Sequence, residues 1–138
     1  MGDRLSRRTT ASAVESYRLA GLLRQMKEST MPQWKGFERL VRTNEPLAMH
    51  TWLGVGGPAE YYAEPRHTDE LTAIVRSAYE QGIPIRVLGS GSNILIRDEG
   101  VSGLVIQLSH PHFAGIAVEG SIVSAGGGAS LSRVVTTS

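Results

Sequence analysis

Two short stretches hold most of the residue types that could bind a ligand: VLGSGSN at 87–93 and SAGGGAS at 124–130. Each follows an apolar run, and each mixes Gly with Ser. Gly89 and Gly91 can adopt positive φ and let a ligand approach the backbone. Consecutive N–H groups in such a turn can converge into a nest that holds an anion. Ser90, Ser92 and Asn93 add neutral donors. A diphosphate gripped by many uncharged donors suits the first stretch; a plain turn between two strands suits its residues equally well.

The familiar phosphate motifs do not fit 87–93. A dinucleotide fingerprint needs a third Gly and an immediate helix, but Ile94 stands at that place and ILIRDEG reads as a strand and a turn. A P-loop needs Lys followed by Ser or Thr, and none follows. The second stretch differs, because a helix is expected straight after it, with its N-terminus near Ala129 and Ser130 able to face an anion. Two uncharged loops, each leaving the C-terminal end of a strand, favour one extended dinucleotide. A third small-residue turn, GVGGPA at 54–59, either closes the site or only reverses the chain.

These loops need a scaffold. Residues 59–63 read as a strand closed by Pro65. HTDELTAIVRSAYEQGIP is the clearest helix signal. Thr68 is placed as N-cap, Asp69 and Glu70 complement the dipole, and Gly82 with Pro84 ends the helix. Leu71, Ile74, Val75, Ala78 and Tyr79 form its apolar stripe. PIRVL is expected as a strand with Ile85 and Val87 on one face, NILIRD as a second strand, and GLVIQL as a third. Residues 116–119 and 122–125 form a hairpin about Gly120. A helix begins near Leu131, its stripe opened by Val134 and Val135, and the chain ends about two turns in, as if cut.

The chain has 138 residues and nearly balanced charge, with no general drive toward nucleic acid or membrane. The balance hides an asymmetry: residues 1–43 carry a net charge of +5 and residues 44–138 a net of −4. A basic extension over 1–43 is expected, disordered over 1–12 and helical from about Ala13 to Lys27, followed by the main domain over 44–138. There is no Cys, so disulfides, thiolate catalysis and Cys-zinc sites are excluded. No apolar run approaches the roughly 20 residues of a membrane helix, and no secretory signal is read, so the expected compartment is the cytoplasm. His110 and His112 flank a Pro in what reads as a surface loop rather than a metal site. Trp34 and Trp52 read as packing anchors.

HTWLGVGGPAEYYAEP, then the capped helix, then IPIRVLGSGSNILIRDEGVSGLVIQL, then VSAGGGASLSRVV, together resemble the N-terminal flavin domain of the UDP-N-acetylenolpyruvoylglucosamine reductases. The match runs from about Asn44 to Ser138 and leaves most of residues 1–43 outside. The resemblance implies an α+β flavin-binding fold of the vanillyl-alcohol-oxidase (PCMH) type, incomplete at its C-terminal side, with the substrate-binding domain absent. It implies that Gly89, Ser90, Gly91, Ser92 and Asn93 wrap the FAD diphosphate, with Gly126, Gly127 and Gly128 as a second contact and Thr51 beside the cofactor.

It further implies hydride transfer from NADPH through FAD to a UDP-sugar enolpyruvyl group, in peptidoglycan synthesis. The family's catalytic Arg, carboxylate and Ser have no counterpart in 1–138, so no catalytic residue and no metal ligand is assigned, and this length alone is expected to lack turnover and to retain FAD poorly. Two other readings stay open: an oxidase of the same fold acting on a sugar lactone or hydroxy acid, and a non-catalytic nucleotide-binding module. The lack of His in 87–93 speaks against an oxidase with covalently attached flavin.

Overall fold

The structure, a computed structural model, describes residues 14–23 and 32–137. It divides into two compact units, Met1–Pro32 and Gln33–Ser138. In the first, residues 14–23 form a helix (α1), every described residue of which is exposed. The expected disordered tail over 1–12 and the end of the expected first helix lie outside the described residues. The second unit begins at Gln33, ahead of the boundary expected at residue 44. Trp34 and Val41 are part of its core.

This unit is built on a four-stranded sheet. Its strands are β1 (Val41–Pro46), β2 (Pro58–Ala63), β3 (Ile85–Leu88) and β4 (Val101–Gln107), in the order β1-β2-β4-β3. β1 runs antiparallel to β2, while β2 and β3 flank β4 in parallel. A central parallel strand is covered on both faces and so reads as a continuous apolar run rather than an alternating one. Leu104, Val105 and Ile106 meet this condition. Leu104 and Ile106 join Trp34, Ala63, Ile74 and Ala78 in one cluster, and Val105 joins Leu47, Tyr62, Leu88 and Ile96 in another. Register shifts between Ala59 and Tyr61. There Gly103 takes φ +84, and the Glu60 carboxylate accepts its N–H at 2.8 Å.

Helix α2 (Thr68–Glu80) connects β2 to β3 and covers the first cluster. Its N-cap is His67, not Thr68. Thr68 is already helical, and its hydroxyl meets His112 Nε2 at 3.0 Å. The C-terminal end is a Schellman turn: Gly82 at φ +67 donates to the Tyr79 carbonyl, and Ile83 donates to the Ala78 carbonyl. Gly82 thus follows the C-cap, which is Gln81. The buried stripe is narrower than expected. Ile74 and Ala78 are fully buried and Leu71 partly, while Val75 and Tyr79 face outward. The apolar side chains at 75 and 79 lie one residue past the face that meets the sheet.

On β3 the expected face is reversed: Leu88 is buried, whereas Ile85 and Val87 are exposed. Residues 94–97 are not a strand. Ile96 turns into the core against Gly56, and the Arg97 carbonyl accepts from Gly57 N–H at 2.9 Å, so this segment braces the 54–57 turn instead of joining the sheet. A short 3-10 turn (Pro111–Phe113) leads to a separate hairpin, β5 (Ile116–Glu119) and β6 (Ile122–Ala125), turning at Gly120 with φ +60. Helix α3 (Leu131–Thr137) follows, with no buried residue.

Candidate functional site

The two glycine-rich stretches open onto one cleft. Its volume is about 660 Å³, in the usual range of roughly 300–1,000 Å³ for small-molecule sites. Gly89, Ser90 and Ser92 line one side, and Gly127, Gly128 and Ala129 with Ser130 and Ser132 the other. Gln107, Leu108 and Ser109, at the end of β4, also line it, and Trp52 does too. No charged side chain is part of the lining.

The first loop is shaped by a close approach. Gly91 has φ +72, and a Cβ there would stand 2.1 Å from the His50 carbonyl oxygen, so only Gly fits. Trp52 N–H donates to the Gly91 carbonyl at 3.0 Å, and Gln107 Nε2 donates to the Gly89 carbonyl at 2.8 Å. The loop's carbonyls are thereby tied down on both flanks. Among the described residues, none of the backbone N–H groups from Gly89 to Asn93 donates to an acceptor of the chain. The Ser90 and Ser92 hydroxyls lie 3.1 Å apart. This is a row of free amide donors with two hydroxyls beside it.

The second loop behaves differently. Gly126 N–H donates to Gly115, Gly128 N–H to Phe113, and Ala129 N–H to Gly126. A Cβ on Gly126 would lie 2.1 Å from the Phe113 carbonyl, and one on Gly128 2.2 Å from the Leu108 carbonyl. These glycines therefore let the turn pack tightly against 108–115. Their amides are spent on the fold, which corrects the expectation of two equivalent amide cradles. Gly127 N–H and Ser130 N–H have no such partner among the described residues.

Of the residues singled out from sequence, Gly89, Ser90, Ser92, Gly127 and Gly128 line the cleft. Gly91, Asn93, Thr51 and Gly126 do not. Thr51 supports the loop from behind: its Cα would be 2.9 Å from a Cβ on Gly91, and its hydroxyl donates to the Ala48 carbonyl at 3.4 Å. Trp52 is 79% exposed and belongs to the cleft, not to a core, which overturns its assignment as a packing anchor. Gln107 was missed. A lone polar residue closing the apolar run of a central strand is the signal that could have found it.

Behind the cleft, the Tyr62 hydroxyl donates to Gln107 Oε1 at 2.5 Å. Burial holds this phenol far above its usual range, so it stays a neutral donor. Elsewhere, the rings of His110 and His112 pack on His67 with centroids 5.7 and 5.4 Å away. Among the described residues no three His, Cys, Asp or Glu are grouped to hold a metal ion, and no helix is long and apolar enough to cross a membrane.

Residues 59–138 match the family model described as "FAD binding domain". Over 96 residues the chain is 45% identical to the UDP-N-acetylenolpyruvoylglucosamine reductase of Rhodopirellula baltica, a match covering 70% of this chain and 32% of that protein. Over 94 residues it is 48% identical to UDP-N-acetylenolpyruvoylglucosamine reductase 2 of Symbiobacterium thermophilum, covering 68% and 30%. The chain thus spans about a third of the length of these curated relatives. Among solved structures it is similar to a solvent-stable cholesterol oxidase, with TM-score 0.50 and 17% identity over 71% of this chain and 19% of the other. That likeness speaks for the fold alone, an α+β flavin-binding architecture.

Proposed function

Because this chain belongs to the family of FAD binding domains, we propose that its cleft holds the diphosphate of FAD against the 89–93 loop. The observation that carries this reading is the run of uncommitted N–H groups from Gly89 to Asn93, three of whose residues line a cleft free of charged side chains. An extended dianion held without Lys or Arg needs many neutral donors, and this loop supplies them. Ser90 and Ser92 add hydroxyls. Across the cleft, Gly127 and Ser130 add the two uncommitted amides of the second loop. Gly89 leaves room, since nothing lies within 4 Å of a Cβ built there.

The similarity to the two reductases supports a finer reading. In it the chain is the flavin-binding part of an NADPH-using reductase that converts UDP-N-acetylglucosamine enolpyruvate to UDP-N-acetylmuramate for peptidoglycan, in the cytoplasm. Bound FAD would supply two-electron hydride chemistry. The contribution of 1–138 is binding and orientation: no residue of this chain is assigned to proton transfer or to the substrate.

The test is equilibrium titration of the chain with FAD, followed by calorimetry and by quenching of Trp52 at the cleft. One FAD is expected per chain. Ser92→Glu, which sets a like charge beside the diphosphate, is expected to weaken binding by roughly tenfold or more. Absence of FAD binding, or an unchanged affinity in Ser92→Glu, would overturn the assignment.

A further inference from the structure

A second pocket of the same unit is the chemical opposite of the flavin cleft. Arg39, Arg42 and Arg66 line it, with Glu64, Ser109 and His110. Its volume is about 300 Å³, at the small end of ligand sites. Three guanidinium groups, which stay charged at any working pH, face one carboxylate there. The flavin cleft has no charged side chain in its lining, and Ser109 is common to both.

The carboxylates on this side of the sheet are already engaged. Glu64 Oε2 accepts from Arg42 at 3.2 Å, and Glu64 Oε1 accepts from the Ser109 hydroxyl at 3.0 Å. Glu45 Oε1 accepts from Arg42 at 2.8 Å and also meets His50 Nε2 at 2.9 Å. His50 Nδ1 in turn meets the Tyr62 hydroxyl at 3.1 Å, so a series of contacts running from Gln107 through Tyr62 and His50 ends on this acid. Arg42 also stands 5.7 Å from the centroid of the Tyr62 ring, in cation–π range. Arg42 is thereby held in place. Arg39 and Arg66 have no ion pair among the described residues.

The backbones that carry these two arginines are fixed. Arg66 follows the fully buried Pro65, and the Glu70 carboxylate takes the Arg66 backbone N–H at 2.7 Å rather than its guanidinium. Arg39 lies in a turn in which the Phe37 carbonyl accepts from Leu40 and Val41 at 2.9 and 3.2 Å. Two unpaired cations on set stems, beside a third already oriented, make a concave site for a doubly charged anion.

We propose that this pocket is an anion site separate from the flavin cleft, taking a phosphate dianion on Arg39 and Arg66 with Arg42 beside them. The planar guanidinium fork matches two phosphate oxygens at once, and two uncompensated cations balance the two charges. The device differs from that of the 89–93 loop, which offers backbone amides, so the proposal stands apart from the FAD reading. Free phosphate and the phosphate of a small metabolite share this chemistry.

The test is calorimetric titration of the whole chain with inorganic phosphate at fixed ionic strength, repeated with ribose 5-phosphate. One phosphate per chain is expected in this pocket, and the tighter of the two probes tells a free from an esterified phosphate. Arg39→Gln and Arg66→Gln are each expected to weaken binding roughly tenfold, the scale of a lost charge-assisted contact. Arg66→Lys, which keeps the charge and loses the fork, falls between Arg66→Gln and wild type. Glu64→Gln, which removes the one acid of the lining, is expected to tighten binding several-fold. Ser92→Glu, in the other cleft, leaves phosphate affinity unchanged. Sulfate is expected to compete where chloride at the same ionic strength does not.

No binding at millimolar phosphate overturns the proposal, as do unchanged affinities in both Arg→Gln variants. So does loss of phosphate binding in Ser92→Glu alone, which would place the anion on the 89–93 loop. Equal displacement by chloride and sulfate would reduce the site to a diffuse positive field. FAD titration separates the two readings: Arg39→Gln and Arg66→Gln are expected to bind FAD as wild type does, and loss of FAD in step with phosphate would make the pocket part of the flavin site. Failure of wild type to bind FAD would sink the cofactor reading and leave the phosphate result to decide this one.

Discussion

The tight contact behind the first loop makes a paired prediction for Gly91→Ala and Gly89→Ala. At Gly91 an L residue must hold φ +72, which costs about 1–2 kcal/mol. Its Cβ would press to 2.1 Å from the His50 carbonyl and 2.9 Å from Thr51 Cα, both backbone atoms, so one segment must shift. The shift endangers the Trp52 to Gly91 hydrogen bond, worth about 0.5–1.5 kcal/mol. Stiffening of the unfolded chain returns about 0.4–1 kcal/mol. The net loss is roughly 2 kcal/mol, which at about 1–3 kcal/mol per molar urea lowers the unfolding midpoint by about 1 M. Gly89 has no positive φ and open space around it, so only the unfolded-state term applies. Its Ala variant is expected to be as stable as wild type or more stable by up to about 1 kcal/mol. Urea unfolding followed by the emission of buried Trp34 reads both. Equal midpoints for the two variants, or a larger loss at Gly89, would refute the close-approach argument.

Two further outcomes follow from the core and from the Glu45 pairing. Ile74→Ala, at a fully buried site between α2 and the sheet, is expected to cost about 2–5 kcal/mol in the same unfolding experiment; a loss within the scatter of surface substitutions would mean the helix is not docked as described. Hydrogen bonding to His50 depresses the folded-state titration of Glu45, so its contribution is present above the ordinary carboxylate value of 4.5 and fades as pH falls through the lower folded value. Stability plotted against pH should therefore drop on the acid side less steeply in Glu45→Gln than in wild type, and superimposable acid limbs would contradict the depressed value.

Sequence reading succeeded where the signal is local. The acidic first turn, the Gly82 terminator and the apolar spacing of α2 all lie within one element, and the hairpin about Gly120 was placed at its observed ends. It failed where a neighbour decides. Ile94, Leu95 and Ile96 have strand composition, but Ile96 is drawn under Gly56 and Arg97 is bonded to Gly57, so the run has no ladder to join. Tyr79 fits the helical stripe of α2 by spacing, yet it faces outward and is exposed, because the face that meets the sheet is narrower than the stripe. The site shows the same division. Both glycine-rich loops were found from composition. The commitment of the Gly126 and Gly128 amides to 113–115 was not legible, because the acceptors belong to a turn more than ten residues earlier in the chain. The His50, Tyr62 and Gln107 series was invisible for the same reason, its members being separated by 12 and 45 positions.

The strand order also has a consequence for how the molecule comes into being on the ribosome. β4 lies between β2 and β3 but is made after both, so nothing translated earlier can stand in for it. Until about residue 107 has cleared the exit tunnel, β2 has only β1 beside it and β3 has no companion at all. Such late, long-range pairing delays folding and leaves apolar edges uncovered in the meantime. A nascent chain halted before Val101 should therefore be a better client for a ribosome-associated chaperone than one released a few residues past Gln107.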